Sequence, residues 1–223
     1  MFSHLPNDIS GECPDVIPVI PLLGVILLPR AQIPLNIFEP HYLTMVDDVL
    51  KNDRLIGIIQ PEREEDLDSP VSALQKVGCV GRITQFLETG DGRYLITLTG
   101  VSRFHVIKQL DSSTTYRLCC VDYSLFKNDT VARQGEEEVD RQSIIDTLKR
   151  YANFSETQFD WRAIAEAPNE AIVNALSLMS PFGAAEKQAL LEAPDLKTRS
   201  ELLIAMIEIE IAKSGTNTEK TLQ

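Results

Sequence analysis

At 223 residues, 43% of them hydrophobic, the chain has material for one large domain or two small ones and is too apolar to remain unfolded. Its 33 acids against 21 bases leave a formal charge of −12, and no Lys/Arg cluster interrupts it, so nucleic acid and anionic membranes are poor partners. No apolar run of the roughly 18 residues that a membrane helix needs is present, and the opening MFSHLPNDIS has no basic stretch ahead of an apolar one, so the expectation is a cytoplasmic protein.

Residues 1–15 read as a tail. Residues 16–22 are apolar but carry Pro18 and Pro21, which suits an edge strand or a strand with a break, because proline has no N–H for the ladder. Gly24 permits a turn, residues 25–28 are apolar again until Pro29, and residues 33–38 form a short extended segment. Glu39-Pro40 predicts a helix start, since proline fits the first helical position and an acid suits the dipole. Tyr42, Leu43, Val46, Val49 and Leu50 then recur on one helical face until Asn52-Asp53. Residues 54–60 have the composition of a buried strand, closed by Pro61.

EREEDLDSP at 62–70 predicts a solvated acidic loop or a patch facing a partner. Residues 77–87 predict a strand in which Gly78 and Gly81 mark a bulge or close packing, and Thr89-Gly90-Asp91-Gly92 a hairpin turn. Residues 94–101, 103–110 and 116–125 predict three further strands, the last two joined by DSSTT. Many short strands joined by tight turns, with one early helix, predict a small closed or half-closed barrel.

Beyond Lys127 the composition turns helical. Helices are predicted at 134–152, with Val139, Ile145, Leu148 and Ala152 on one side; within 154–165, capped at Asp160 and holding Trp161; at 169–179, with Ile172, Val173, Leu176 and Met179 on one face; at 184–191; and at 196–212, capped at Asp195. In the last, Leu202, Met206 and Ile209 align, and Leu203 and Ile207 widen the stripe. The reading is α+β: a β domain over 16–126, a helical bundle over 127–213, and a polar tail over 214–223.

Few residues carry recognisable chemistry. There is no G-x-x-x-x-G-K-[ST] loop, no G-x-S-x-G elbow and no H-E-x-x-H. Cys13, Cys79, Cys119 and Cys120 have no C-x-x-C spacing and read as reduced thiols, with Cys119 and Cys120 on opposite faces of a strand. His4, His41 and His105 lack ligand spacing, so no metal and no cofactor is expected. Glu39 has no matched second carboxylate for catalysis; its expected role is to face the first helical N–H groups or to pair with an arginine such as Arg103. Asn36 interrupts an apolar run and would need partners if buried, or would hold a turn. Phe38, Tyr42 and Phe104 suit either core packing or an aromatic surface.

PLLGVILLP, then IPLNIFEPHY, then a helix ending in DRLIGIIQP resemble the N-terminal substrate-binding domain of Lon proteases, and most of all the standalone bacterial proteins made of that domain alone. The likeness runs on through GCVGRI, GRYLITLTGVSRF and the helical half. The resemblance implies a PUA-like pseudo-barrel followed by helices. It also implies a non-catalytic module that binds unfolded or tagged protein segments or docks to a protease or chaperone. The family's ATPase loop and Ser-Lys protease region have no counterpart in this sequence.

The candidate peptide surface is Leu22, Leu23, Val25, Ile26 and Leu27 with Phe38 and Tyr42, residues whose density suits a core equally well; Asn36, Glu39, Pro40 and Arg103 are the structural motif. Two other readings remain open: a small ATP-independent hydrolase or peptidase, and an RNA-binding PUA-like protein, which the charge opposes. The oligomeric state does not follow from the sequence.

Overall fold

The computed structural model describes residues 3–4, 13–63, 73–155 and 158–220. From residue 64 on, the expected acidic loop lies outside the described residues, as does most of the expected N-terminal tail. The chain forms two compact units, Met1–Ala132 with Phe182–Leu191, and Arg133–Pro181 with Glu192–Gln223.

The first unit is built on one mixed sheet. Its strands are β1 (Ser3–His4), β2 (Val16–Pro21), β3 (Gln32–Ile37), β4 (Leu55–Ile59), β5 (Val77–Glu88), β6 (Tyr94–Leu110) and β7 (Arg117–Asp122), with helix α1 (Pro40–Leu50) between β3 and β4. Hydrogen bonding runs from β5 to β4, β2, β7, β6 and back to β5, so the sheet closes as a ring; β1 adds to β5 and β3 to β6. Ile17, Val19, Leu55, Ile59, Val80, Val101, Phe104, Cys119 and Val121 form one buried cluster inside it.

Three local expectations change. The proline-bearing β2 is a central strand, not an edge: Val16 to Val19 pair with β7, and Val19 to Pro21 pair in parallel with β4. Its ladder passes from one neighbour to the other along its length, which accommodates the missing N–H groups of Pro18 and Pro21. Residues 25–28 are not a strand. They run as irregular chain over Gly81 and Gly100, with Ile26, Leu27 and Leu28 almost wholly buried. Gly100 makes the close approach possible: a Cβ there would stand 2.1 Å from the Leu28 carbonyl oxygen. Finally, 94–110 is one continuous strand rather than two, held along its length by β3, β5 and β7, with the irregularity taken up by register shifts in its pairings with β5 and β7.

Two tyrosines tie α1 to the strands. Tyr94 donates to Asp47 Oδ1 at 3.0 Å and Tyr116 to Asp48 Oδ2 at 3.0 Å, while Met45, Val46 and Val49 turn inward. Cys119 is fully buried and Cys120 only partly, as alternation on β7 requires.

Helix α5, placed after the ring in sequence, belongs to this unit rather than to the helical bundle expected over 127–213. It spans Ala184–Glu192, preceded by α2 (Arg141–Ser155), α3 (Trp161–Glu166) and α4 (Asn169–Met179) and followed by α6 (Leu196–Lys220). Polar anchoring and burial explain its place. Arg103 of β6, 4% exposed, donates from Nη1 to the Leu191 carbonyl at 3.0 Å, and Gln188 donates to the Val77 carbonyl at 3.1 Å. Leu190 and Leu191 are buried beside them. Arg103 is itself held by Asp129, which accepts from Nε, Nη2 and the Arg103 backbone N–H at 2.8, 2.8 and 2.9 Å. The Phe126 ring lies 4.5 Å from the guanidinium.

In the second unit α2 and α4 both pack on α6. Glu136 accepts from the Glu170 N–H at 2.9 Å in the first turn of α4, a carboxylate at a helix N-terminus. Arg141 donates to the carbonyls of Ile164, Ala165 and Ala167 at the end of α3. Asp160 caps α3 through the N–H groups of Arg162 and Ala163, and Asp195 accepts from Thr198 N–H at 2.7 Å, both as the sequence predicts. The stripes shift by a residue: Ile144 is buried rather than Ile145, Leu203 and Ile207 form the centre of the α6 face, and Met179 and Ile209 are exposed. α6 continues to Lys220, past the expected end at Ala212, since extending a formed helix costs far less than starting one.

Removing one partner of a buried ion pair strands the other charge, so Arg103→Ala should cost about 3–5 kcal/mol in denaturant unfolding. The double variant Arg103→Met with Asp129→Leu should cost less than that single change. Burial also pushes the Cys119 thiol up to about 11. Maleimide at neutral pH should therefore leave Cys79 and Cys119 unlabelled in the folded protein and modify them once it unfolds.

Candidate functional site

The groove of interest begins where the β2–β4 ladder ends. Leu22 N–H still donates to the Ile59 carbonyl at 2.8 Å. The next donor, Gly24 N–H, meets a side chain instead: Gln60 Oε1 at 2.7 Å. Gly24 sits at φ +69°, a turn conformation open to glycine at little cost. Gln60 is 1% exposed, so its amide must be satisfied inside. Its Nε2 donates to the Ala184 carbonyl at 2.9 Å and to Gln188 Oε1 at 3.0 Å. One side chain thus continues the ladder on one side and fixes α5 on the other.

Beyond Gln60 the chain pairs briefly with residues 73–75, through Gln75 N–H to the Gln60 carbonyl and Glu62 N–H to the Ala73 carbonyl, both 2.8 Å. Between this short ladder, the turn at Leu23-Gly24 and the start of α5 lies an open groove of about 450 Å³. Among the described residues, its apolar lining comes from Leu23, Pro61, Phe182, Ala184 and Ala185, and Glu62 is the one charged residue lining it. A second hollow, of about 250 Å³, lies between the starts of β2 and β4, the end of α1 and β7, and holds the Tyr116–Asp48 bond.

The residues expected to form a peptide surface are dispersed. Leu22, Leu23 and Val25 are half-buried, and of these only Leu23 lines the larger groove. Ile26 and Leu27 are 2% and 0% exposed and belong to the core, which removes them from any surface. Phe104 is likewise core, whereas Phe38 is 58% exposed just before α1. Tyr42 is half-buried beside His41, with 4.0 Å between ring centroids; burial, then the Glu39 carboxylate, pushes its hydroxyl above the usual tyrosine range.

The structural motif changes more. Asn36 is exposed on β3 opposite Leu95, so it needs no buried partner. Pro40 does open α1, but Glu39 makes no side-chain cap bond. Its carboxylate lies 3.4 Å from His41 Nε2, both side chains well exposed. Arg103 pairs with Asp129 and not with Glu39, because it points into the buried latch at α5.

Gln60, Phe182 and Gln188 were missed in the sequence. Gln60 left a faint signal, a polar residue closing an otherwise wholly apolar strand. Phe182 stood in the break after Ser180-Pro181, where only a helix stop was legible.

The profile of the ATP-dependent protease La (LON) substrate-binding domain family matches residues 16–208. Lon protease 2 of Myxococcus xanthus is 27% identical over 203 residues, covering 88% of this chain and 24% of that protein. Lon protease 2 of Sorangium cellulosum is 29% identical, covering 91% of this chain and 26% of that protein. The chain thus spans about a quarter of the length of these relatives. Among solved structures, the fold is similar to a Lon N-terminal domain protein from Xanthomonas campestris, with TM-score 0.57, 22% identity, and 85% and 97% of the two chains covered. It is also similar to the N-terminal domain of the Mycobacterium avium complex Lon protease, with TM-score 0.62, 14% identity, and 86% and 98% covered.

If Gln60 holds the groove and Glu39 caps nothing, their truncations separate. Gln60→Ala should cost roughly 1–3 kcal/mol by leaving Gly24 N–H and Gln188 without their partner. Glu39→Ala should stay within about 0.5 kcal/mol of the parent, as surface changes do. Urea unfolding of both variants measures the difference.

Proposed function

The chain belongs to the ATP-dependent protease La (LON) substrate-binding domain family, and from that premise we propose that it is a non-catalytic recognition module for extended protein segments, held in the groove at Leu23, Pro61 and Phe182. One observation carries this reading: an open, partly apolar groove whose walls are fixed from behind by the buried Gln60 amide. A wall already fixed loses little freedom when a ligand arrives, so more of the contact energy is left for binding. Its volume suits one or two side chains of an extended segment rather than a folded partner.

Unfolded or tagged clients expose apolar side chains that a folded protein hides, so an apolar groove discriminates between the two states without reading a sequence. Docking to a proteolytic machine is the companion role that the family suggests. An RNA-binding reading has less support, since the chain carries a net charge of −12. Among the described residues no helix is long and apolar enough to cross a membrane, and no group of three or more His, Cys, Asp or Glu is placed to hold a metal ion.

The test is binding of fluorescein-labelled, unfolded casein by anisotropy. Phe182→Asp puts a charge where the apolar anchor would sit and should weaken binding at least about tenfold, the scale of an interface hot spot, while the unfolding midpoint stays close to the parent. Unchanged affinity would reject this groove. Cleavage of the casein by the pure protein without nucleotide would reject the non-catalytic role.

A further inference from the structure

We infer that the groove selects extended segments in which a basic side chain neighbours the apolar anchor, an inference that rests on the groove being the peptide site. The charge distribution argues for it. Glu62 is exposed, lines the groove and, among the described residues, forms no ion pair. Arg63 follows it in sequence, and Lys187 lies on α5, yet neither lines the groove.

The first turn of α5 also lines the groove, through Ala184 and Ala185. A helix N-terminus normally attracts an anion. Here the protein supplies its own: Glu186 Oε2 lies 2.7 Å from where a Cβ on Gly183 would stand, folded back over the residue that begins the helix. The glycine leaves room for this carboxylate. An acidic segment arriving in the groove would therefore meet the Glu186 carboxylate at the start of α5 and Glu62 in the lining.

A lysine or arginine one or two positions from an apolar anchor meets the opposite situation. The anchor packs on Leu23, Pro61 and Phe182, and the cation reaches Glu62 at the rim. The pair is solvent-exposed, so its contribution is modest and falls with salt. The overall charge of −12 adds a longer-ranged attraction that acts on encounter.

The experiment compares two labelled peptides with the same Leu-Phe-Leu core, one flanked by lysines and one by glutamates, by anisotropy against the full chain at low and high salt. The lysine peptide should bind about fivefold more tightly at low salt, the scale of an exposed ion pair, and the gap should close at high salt. Glu62→Lys should abolish or reverse the gap. A gap that survives undiminished in Glu62→Lys would assign the preference to the diffuse charge and overturn the inference. Equal affinities for both peptides, with both lost in Phe182→Asp, would overturn the charge preference and leave the groove standing. Affinities that Phe182→Asp does not alter, or no binding of either peptide, would overturn the groove and this inference together.

Discussion

A guanidinium sealed in a protein interior is tolerated only when its N–H groups are answered, and Arg103 meets that demand. Asp129 takes Nε, Nη2 and the backbone N–H, and the Leu191 carbonyl near the end of α5 takes Nη1. The ring of Phe126 faces the cation. Such a pair contributes less net stability than its distances suggest, because both charges lost their water. What it contributes is specificity. Nη1 donates to the Leu191 carbonyl, which ties the end of α5 to β6.

That tie bears on the groove. With α5 held near its end by Arg103, its middle is held by Gln188, which donates to Val77, and its start by Gln60. Gln60 also receives the Gly24 N–H that follows the last β2–β4 ladder bond. The amides of Gln60 and Gln188, both almost wholly buried, therefore connect a turn, a strand end and a helix through hydrogen bonds. A groove built on this network differs from one formed by mobile loops, because its walls are parts of the fold. Among the described residues its opening is lined by a few apolar groups and one acid.

Family membership and site geometry make different contributions. The profile match over residues 16–208 places the chain in its family, and the likeness to solved Lon N-terminal domains at 14–22% identity carries the fold. Neither says which surface binds. The proposed site is drawn from this chain's own residues and uses only Leu23 of the apolar stretch 22–27. Ile26 and Leu27 are taken into the core where 25–28 passes close over Gly100.

The sequence by itself determined whatever depends on neighbours along the chain. Residues 169–179 form α4 with the predicted limits, Asp160 and Asp195 cap the helices after them, and Gly92 turns the β5–β6 hairpin with positive φ. Helical and strand periodicity, caps and turns rest on bonds a few residues long, so their signals are local. Tertiary structure decided the rest. The partner of Arg103 is Asp129 rather than Glu39, the partners of Gln60 lie in α5, and α1 is held by Tyr94 and Tyr116, with separations between 26 and 128 residues. No periodicity marks such pairs. Whether a polar side chain is buried, and what answers it there, is settled only when the sheet closes and brings distant segments into one low-dielectric interior.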